Sequence, residues 1–298
     1  MDQIIELKNN RKLTIIEQHG YCFGVKRALN IVYETIDNKD IKRPIYLLGN
    51  LIHNKIVTNK LTELGVITID KPLKTRLELL DEIDCGTVIF SAHGVSRAVY
   101  KKANDKGLNI IDASCKMVKL IHTKVINYTN NGYQIIYIGK KNHPECEAIL
   151  QEGKNIYLVS NKTDLDNLNI LNDKIYVTNQ TTLSSLETKE LYDLIQKKYP
   201  NAIIDNKICN ATTIRQTALL NQTNSDFIII VGDKLSSNTK SLLDIAKTNL
   251  GKDAILIETF RDLENIDLNK YQHISITSGA SCPEEIFNSI VDYIKNKD

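Results

Sequence analysis

Short apolar runs in this chain end abruptly on glycine and then on a polar residue. Ile45 to Leu48 meets Gly49, Ile135 to Ile138 meets Gly139, and Phe227 to Val231 meets Gly232; His53, His143 and Asn238 follow shortly after. Runs this short, rich in branched side chains and bounded by turn residues, predict buried strands. A second set behaves alike: Val88 to Phe90 precedes Ser91 and His93, Ile175 to Val177 precedes Gln180 and Thr181, and Ile274 to Ile276 precedes Ser278 and Ser281. Elsewhere the apolar period changes to three and four, as in Val25, Ala28, Leu29 and Val32 or Val118, Ile121, Val125 and Tyr128, which predicts helices. Strands alternating with helices predict parallel sheets, and such sheets bind ligands at the carboxyl ends of their strands. The polar clusters all fall there.

The pattern repeats three times. An apolar pair and an acid precede each of three cysteines: Ile15, Ile16 and Glu17 before Cys22, Ile110, Ile111 and Asp112 before Cys115, and Ile203, Ile204 and Asp205 before Cys209. These cysteines stand 93 and 94 residues apart, each where a strand hands over to a helix. The expected fold class is therefore α/β, with three similar domains built on small parallel sheets. The expected lobes are 22–114, 115–207 and 208–298, with 1–21 as an N-terminal strand packing near the third. The simplest arrangement is pseudo-threefold, three-lobed around one central cavity.

Composition narrows the chemistry. The 298 residues, 42% of them hydrophobic, are enough for two or three cores of roughly 100 residues each. A net charge of +2 without long like-charge blocks gives no support to nucleic-acid or membrane-surface binding, so a small ligand is expected. No signal-length or membrane-length apolar stretch occurs, and six widely spread cysteines read as reduced thiols, so a cytoplasmic protein is expected.

Three thiols at equivalent positions suit a metal centre. Closely paired cysteines of the kind that hold structural zinc are absent, and no fourth ligand is evident. A 4Fe-4S cluster on Cys22, Cys115 and Cys209 leaves one iron open to act as a Lewis acid while the cluster supplies electrons. Cys85, Cys146 and Cys282 have no repeat equivalents and read as structural. Ser236, Ser237, Asn238 and Ser281, at strand-to-helix junctions, suit an anion, and His53, His93 and His143 add donors. Glu145, after Pro144 at the start of a helix, reads equally as a buried proton donor or as a first-turn glutamate favoured by the helix dipole. His122, seven residues after Cys115, reads as a support for the cluster or as a packing residue, His19 and His273 read as structural, and Lys26 and Arg27 read as part of a solvated helix face or as a contact for an electron donor.

The chain resembles the 4-hydroxy-3-methylbut-2-enyl diphosphate reductases, which close the methylerythritol phosphate route to isoprenoids. The resemblance is carried by Gly20-Tyr21-Cys22-Phe23-Gly24-Val25, Ile52-His53-Asn54, Ser91-Ala92-His93-Gly94-Val95-Ser96, Asp112-Ala113-Ser114-Cys115 and His143-Pro144-Glu145. It continues through Gln180-Thr181-Thr182-Leu183-Ser184, Cys209-Asn210-Ala211-Thr212-Thr213, Ser236-Ser237-Asn238 and Gly279-Ala280-Ser281. It implies a 4Fe-4S cluster held by Cys22, Cys115 and Cys209, with an open iron for the substrate's allylic hydroxyl. It further implies diphosphate binding by His53, His93, His143, Ser236, Ser237, Asn238 and Ser281, orientation of the hydroxyl by Thr181 and proton delivery by Glu145. The implied reaction consumes two electrons and two protons, gives isopentenyl and dimethylallyl diphosphates with loss of water, and draws on ferredoxin or flavodoxin; a monomer is expected.

The sequence departs from the family pattern in a few places. Lys141-Asn142-His143 lacks a glycine before the histidine, Cys146 and Ala148 replace the usual Val and Gly, and Lys116 stands where proline is common. The rival readings are a cluster-bearing redox sensor without turnover and a zinc hydrolase. The first has no use for an interior lined by histidines, a threonine and serines, and the second needs another ligand.

Overall fold

The computed structural model describes residues 2–297; Met1 and Asp298, the outermost residues of the expected lobes, lie outside the described residues. The chain opens with β1 (Gln3–Glu6), β2 (Lys12–Ile15) and α1 (Phe23–Asp37). There follow β3 (Ile45–Leu48), α2 (Lys55–Glu63), β4 (Val66–Ile69), α3 (Arg76–Leu79), β5 (Thr87–Phe90), α4 (Arg97–Asp105) and β6 (Asn109–Asp112). The middle third holds α5 (Lys116–Asn130), β7 (Gln134–Ile138), α6 (Pro144–Leu150), β8 (Ile156–Val159), α7 (Lys162–Asn167), β9 (Ile175–Asn179), α8 (Ser185–Lys198) and β10 (Ile203–Ile204). The last holds α9 (Asn210–Leu220), β11 (Phe227–Val231), α10 (Ser237–Asp244), β12 (Asp253–Ile257), β13 (His273–Ser278) and α11 (Glu284–Lys297). The apolar runs read from the sequence are these strands, and a helix follows each of the three repeat cysteines.

Three small sheets result, ordered β4-β3-β5-β6, β8-β7-β9-β10 and β1-β2-β13-β11-β12. Each has a central strand (β3, β7 or β11) with parallel partners on both sides. A further parallel strand lies beyond: β6 on β5, β10 on β9 and β2 on β13. That outer strand is the one that leads to a cysteine, so the repeat extends to connectivity. The one antiparallel pairing among the described strands is β1 with β2, in register from Gln3 opposite Ile15.

The chain divides into two compact units. One comprises Met1–Phe23, His53–Lys55 and Asn210–Asp298 and contains the five-stranded sheet; the other comprises Gly24–Ile52 and Ile56–Cys209 and contains both four-stranded sheets. In the first unit, Phe227, Ile229 and Val231 of β11 face Phe287, Ile290 and Ile294 of α11, while Ile228 and Ile230 face Leu219, Leu242 and Ile245. Both faces are covered, which is why the strand reads as an unbroken apolar run instead of an alternating one. Each fully buried isoleucine here contributes roughly 1.5–3 kcal/mol of transfer free energy. In the second unit, β5 packs Val88 and Phe90 against Val95, Val99 and Ala103, and β7 places Ile136 and Ile138 on one side and Ile135 and Tyr137 on the other. Sheets apolar on both faces leave only strand ends for polar chemistry.

Candidate active site

Each repeat cysteine is fixed by the same backbone bond. The Cys22 amide donates to the Ala280 carbonyl at 3.1 Å, the Cys115 amide to Ala92 at 3.0 Å and the Cys209 amide to Thr181 at 2.9 Å. In every case the acceptor lies in the polar cluster just beyond β13, β5 or β9. The parallel pairing of neighbouring strands continues one step past the sheet and sets each thiol beside that cluster. Cys22, Cys115 and Cys209 are all partly exposed, and each immediately precedes the first residue of a helix.

The other three cysteines differ. Cys85 is exposed, while Cys146 and Cys282 are buried. Burial pushes the Cys282 thiol up to about 12 and the Cys146 thiol higher still, as inert structural thiols require.

In the first unit the structure brings Cys22 together with three expected anion-binding residues through Ala280 and Ser281. Asn238 Oδ1 accepts from the Ala280 amide at 3.0 Å, and Ser281 Oγ donates to the His53 carbonyl at 3.2 Å. Asn54 Nδ2 donates to the Ser281 carbonyl at 3.2 Å. Ser236 caps α10, its Oγ accepting from the Thr239 amide, which leaves Ser237 and Asn238 in the first turn where backbone N–H groups attract an anion. Buried Arg215 donates to the Gly20 carbonyl at 2.7 Å and so holds the turn before Cys22, where Gly20 has φ +71°. Sequence reasoning missed Arg215, which carries no local signal.

In the second unit a contiguous chain links Cys209, Thr181, Glu145, His143 and His93. The Thr181 amide and hydroxyl each donate to the Glu145 carboxylate at 2.9 Å. Glu145 is 3% exposed. Burial raises its carboxyl above the ordinary glutamate value, against the pull of the two Thr181 bonds and of the charge on His122. A neutral carboxylic acid can donate a proton where an exposed glutamate has none to give.

His143 is the N-cap of α6, its Nδ1 accepting from the Glu145 amide at 3.1 Å. That bond places the ring hydrogen on Nε2, so His143 offers a neutral donor to an anion. Its ring meets that of His93 edge-on at 5.7 Å. Just before it, Asn142 occupies the left-handed region at φ +64°, which is why a glycine suits that position and why asparagine substitutes for it.

Other residues take structural places. His19 stacks on Phe287 with centroids 4.2 Å apart, and His273 Nε2 lies 2.7 Å from Thr14 Oγ1. His122 is buried with Nδ1 3.0 Å from Glu152. Lys26 is exposed, but Arg27 departs from the expected solvated face: its guanidinium donates to the Ser114 carbonyl at 2.9 Å, bracing the turn before Cys115.

The metal-ligand expectation is distributed over the two units, Cys22 in one and Cys115 with Cys209 in the other. Among the described residues, no group of three or more His, Cys, Asp or Glu side chains stands assembled for a metal ion. Nor is any helix long and apolar enough to cross a membrane.

Comparison with known proteins shows the family of this chain. A 4-hydroxy-3-methylbut-2-enyl diphosphate reductase of Bacillus mycoides is 40% identical over 289 residues, covering 96% of this chain and 91% of that protein. The enzyme of the same name from Macrococcus caseolyticus is 42% identical over 287 residues, covering 95% and 88%. The structure of the E-1-hydroxy-2-methyl-but-2-enyl-4-diphosphate reductase from Plasmodium falciparum superposes with a TM-score of 0.86 at 35% identity, covering 94% of this chain and 86% of that one. The family model for LytB protein matches residues 13–295, and this chain belongs to the LytB protein family.

Proposed function

We propose that this protein reduces 4-hydroxy-3-methylbut-2-enyl diphosphate to isopentenyl and dimethylallyl diphosphates, the last step of the methylerythritol phosphate route. The observation that carries this reading is the buried Glu145 carboxyl held by Thr181, whose own carbonyl takes the Cys209 amide. A buried carboxyl group, a hydroxyl and a thiol are thereby fixed on adjoining segments. Family membership over the length of the chain supports the same reaction.

LytB enzymes are iron-sulfur proteins. The residues present fit a 4Fe-4S cluster: Cys22, Cys115 and Cys209 are partly exposed thiols at helix starts with one shared backbone geometry, and Cys85, Cys146 and Cys282 are not. When bound, the cluster supplies electrons and the Lewis acidity of an open iron.

The chain's own residues do the rest. Ser236, Ser237, Asn238, Ser281, His53, His93 and His143 bind the diphosphate, with donors in place of a lysine-rich loop. Thr181 orients the hydroxyl that leaves as water. Glu145 delivers protons, and two protons with two electrons balance the loss of hydroxide and the formation of the new C–H bond. Delivery at either end of an allylic system accounts for two products.

The lobes 22–114, 115–207 and 208–298, joined by 1–21, supply one cysteine each in this reading. The protein acts as a cytoplasmic monomer with ferredoxin or flavodoxin as donor. The test is anaerobic purification followed by iron and sulfide counts, then addition of the hydroxymethylbutenyl diphosphate with reduced donor. About four irons per chain and consumption of the substrate support the reading. An intact cluster that leaves the substrate unchanged favours a redox sensor instead.

A further inference from the structure

The helix that carries Glu145 is too short to hold itself. α6 has seven residues, and a helix of that length is marginal without tertiary contacts. Glu145 and Glu147 are two positions apart, a rotation of about 200°, so their side chains leave opposite sides. Glu145 goes to Thr181. Glu147 goes to Arg76 at the start of α3: the Arg76 amide donates to Oε1 and its Nη1 to Oε2, each at 2.6 Å. The pair is largely shielded, with side-chain exposures of 12% and 17%. Behind it the guanidinium abuts Gly49, where a Cβ would stand 2.8 Å from Nη2.

The same edge is fastened again just past the helix. Ser96 Oγ donates to Gln151 Oε1 at 2.8 Å, and the Arg97 amide and Nε donate to the Glu152 carboxylate at 3.1 and 2.8 Å. Glu147, Gln151 and Glu152 thus join α6 and the turn after it to the starts of α3 and α4, and the turn before α4 bears His93.

We propose that Glu147, through its two-point bond to Arg76, is a positioning residue that sets the rotation of α6 and so the place where Glu145 presents its carboxyl. The inference rests on Glu145 as the proton donor. An exposed ion pair would be too weak for this task, but a shielded pair that engages both main chain and side chain leaves a stranded charge when either partner is removed. A roll of α6 displaces the Glu145 carboxyl and, at the helix N-cap, the His143 ring with it.

The test is steady-state reduction of the hydroxymethylbutenyl diphosphate by anaerobically prepared holoenzyme, with rates expressed per iron-loaded chain. Arg76→Ala and Glu147→Gln should each lower kcat by up to about 100-fold, as a displacement near 1 Å does, with a smaller rise in KM through His143. The pH profile of kcat should move with them, and Arg76→Lys should restore part of the loss. If Arg76→Ala does not accumulate, Glu147→Gln, which keeps the shape, decides alone. Variants that keep kcat per iron, or lose kcat only in proportion to iron, overturn the positioning role. A wild-type holoenzyme that leaves the diphosphate unchanged overturns the assignment of Glu145, and this proposal with it.

Discussion

Thr181 grips Glu145 twice, through its amide and through its hydroxyl, while its carbonyl accepts the amide of Cys209. One threonine therefore couples the acid to the thiol-bearing turn. Glu145→Gln keeps the shape and an acceptor oxygen but has no acidic proton. It should retain its iron and lose roughly 100-fold or more in kcat, the range for a general acid. Near-normal turnover at full iron content would remove Glu145 from the proton path.

The same residue makes stability depend on pH. Because burial raises its carboxyl above the unfolded value, the native state holds that proton more tightly than the unfolded chain does. Its contribution is fully present below the ordinary carboxylate range and is lost as pH rises through the raised native value. Glu145→Gln should therefore match the wild type near about pH 4 and surpass it near about pH 8. Denaturant midpoints across that range check the sign, and a gap that closes as pH rises would contradict it.

Cysteine replacements sort five of the six thiols. Cys22→Ala, Cys115→Ala and Cys209→Ala should each abolish stable iron binding and the brown colour. Cys85→Ala and Cys282→Ser should leave iron content unchanged. Iron and sulfide analysis of anaerobic preparations reads both sets, and full iron in any of the first three would remove that residue from the ligand set.

Asn142 tests the left-handed turn ahead of the His143 cap. Asn142→Gly should be neutral or stabilising, because glycine takes φ +64° at no steric cost. Asn142→Val, with a branched Cβ, should lower stability by about 1–3 kcal/mol. Thermal midpoints that leave the valine variant unaffected would mean that the turn relaxes.

Lys116 sits at the first position of α5 after Cys115, whose ψ of 140° is the extended conformation that a following proline demands. Lys116→Pro should thus raise stability by about 0.4–1 kcal/mol by restricting the unfolded chain. A loss of stability or of iron would show that the Lys116 N–H matters to the Cys115 turn.

The strands and their polar ends were legible because each is an apolar run with a sharp boundary, repeated three times. Cys22, Cys115 and Cys209 stood out through that repetition, and Glu145 through Pro144 and the helix it opens. The contacts that hold these groups were not legible. Arg76 and Glu147 are 71 residues apart, and among 38 basic and 36 acidic residues nothing in the sequence pairs one with the other. Arg27 reads as a solvated helix residue until the fold brings the Ser114 carbonyl to it. The β1–β2 pairing was hidden likewise, because the single N-terminal strand expected within 1–21 is two strands that pair with each other.

The outer strand of the five-stranded sheet has a consequence for the order of events in the cell. β2 pairs with β13, Ile15 opposite Ile276, and the Cys22 amide waits for the Ala280 carbonyl. At ordinary rates of translation the two partners leave the ribosome on the order of 10–50 s apart. Until then the segment bearing Cys22 has no sheet to join, although Cys115 and Cys209 lie within a unit already synthesised. In the proposed ligand set, the Cys22 segment is therefore the last to gain its native sheet, once β13 has been made.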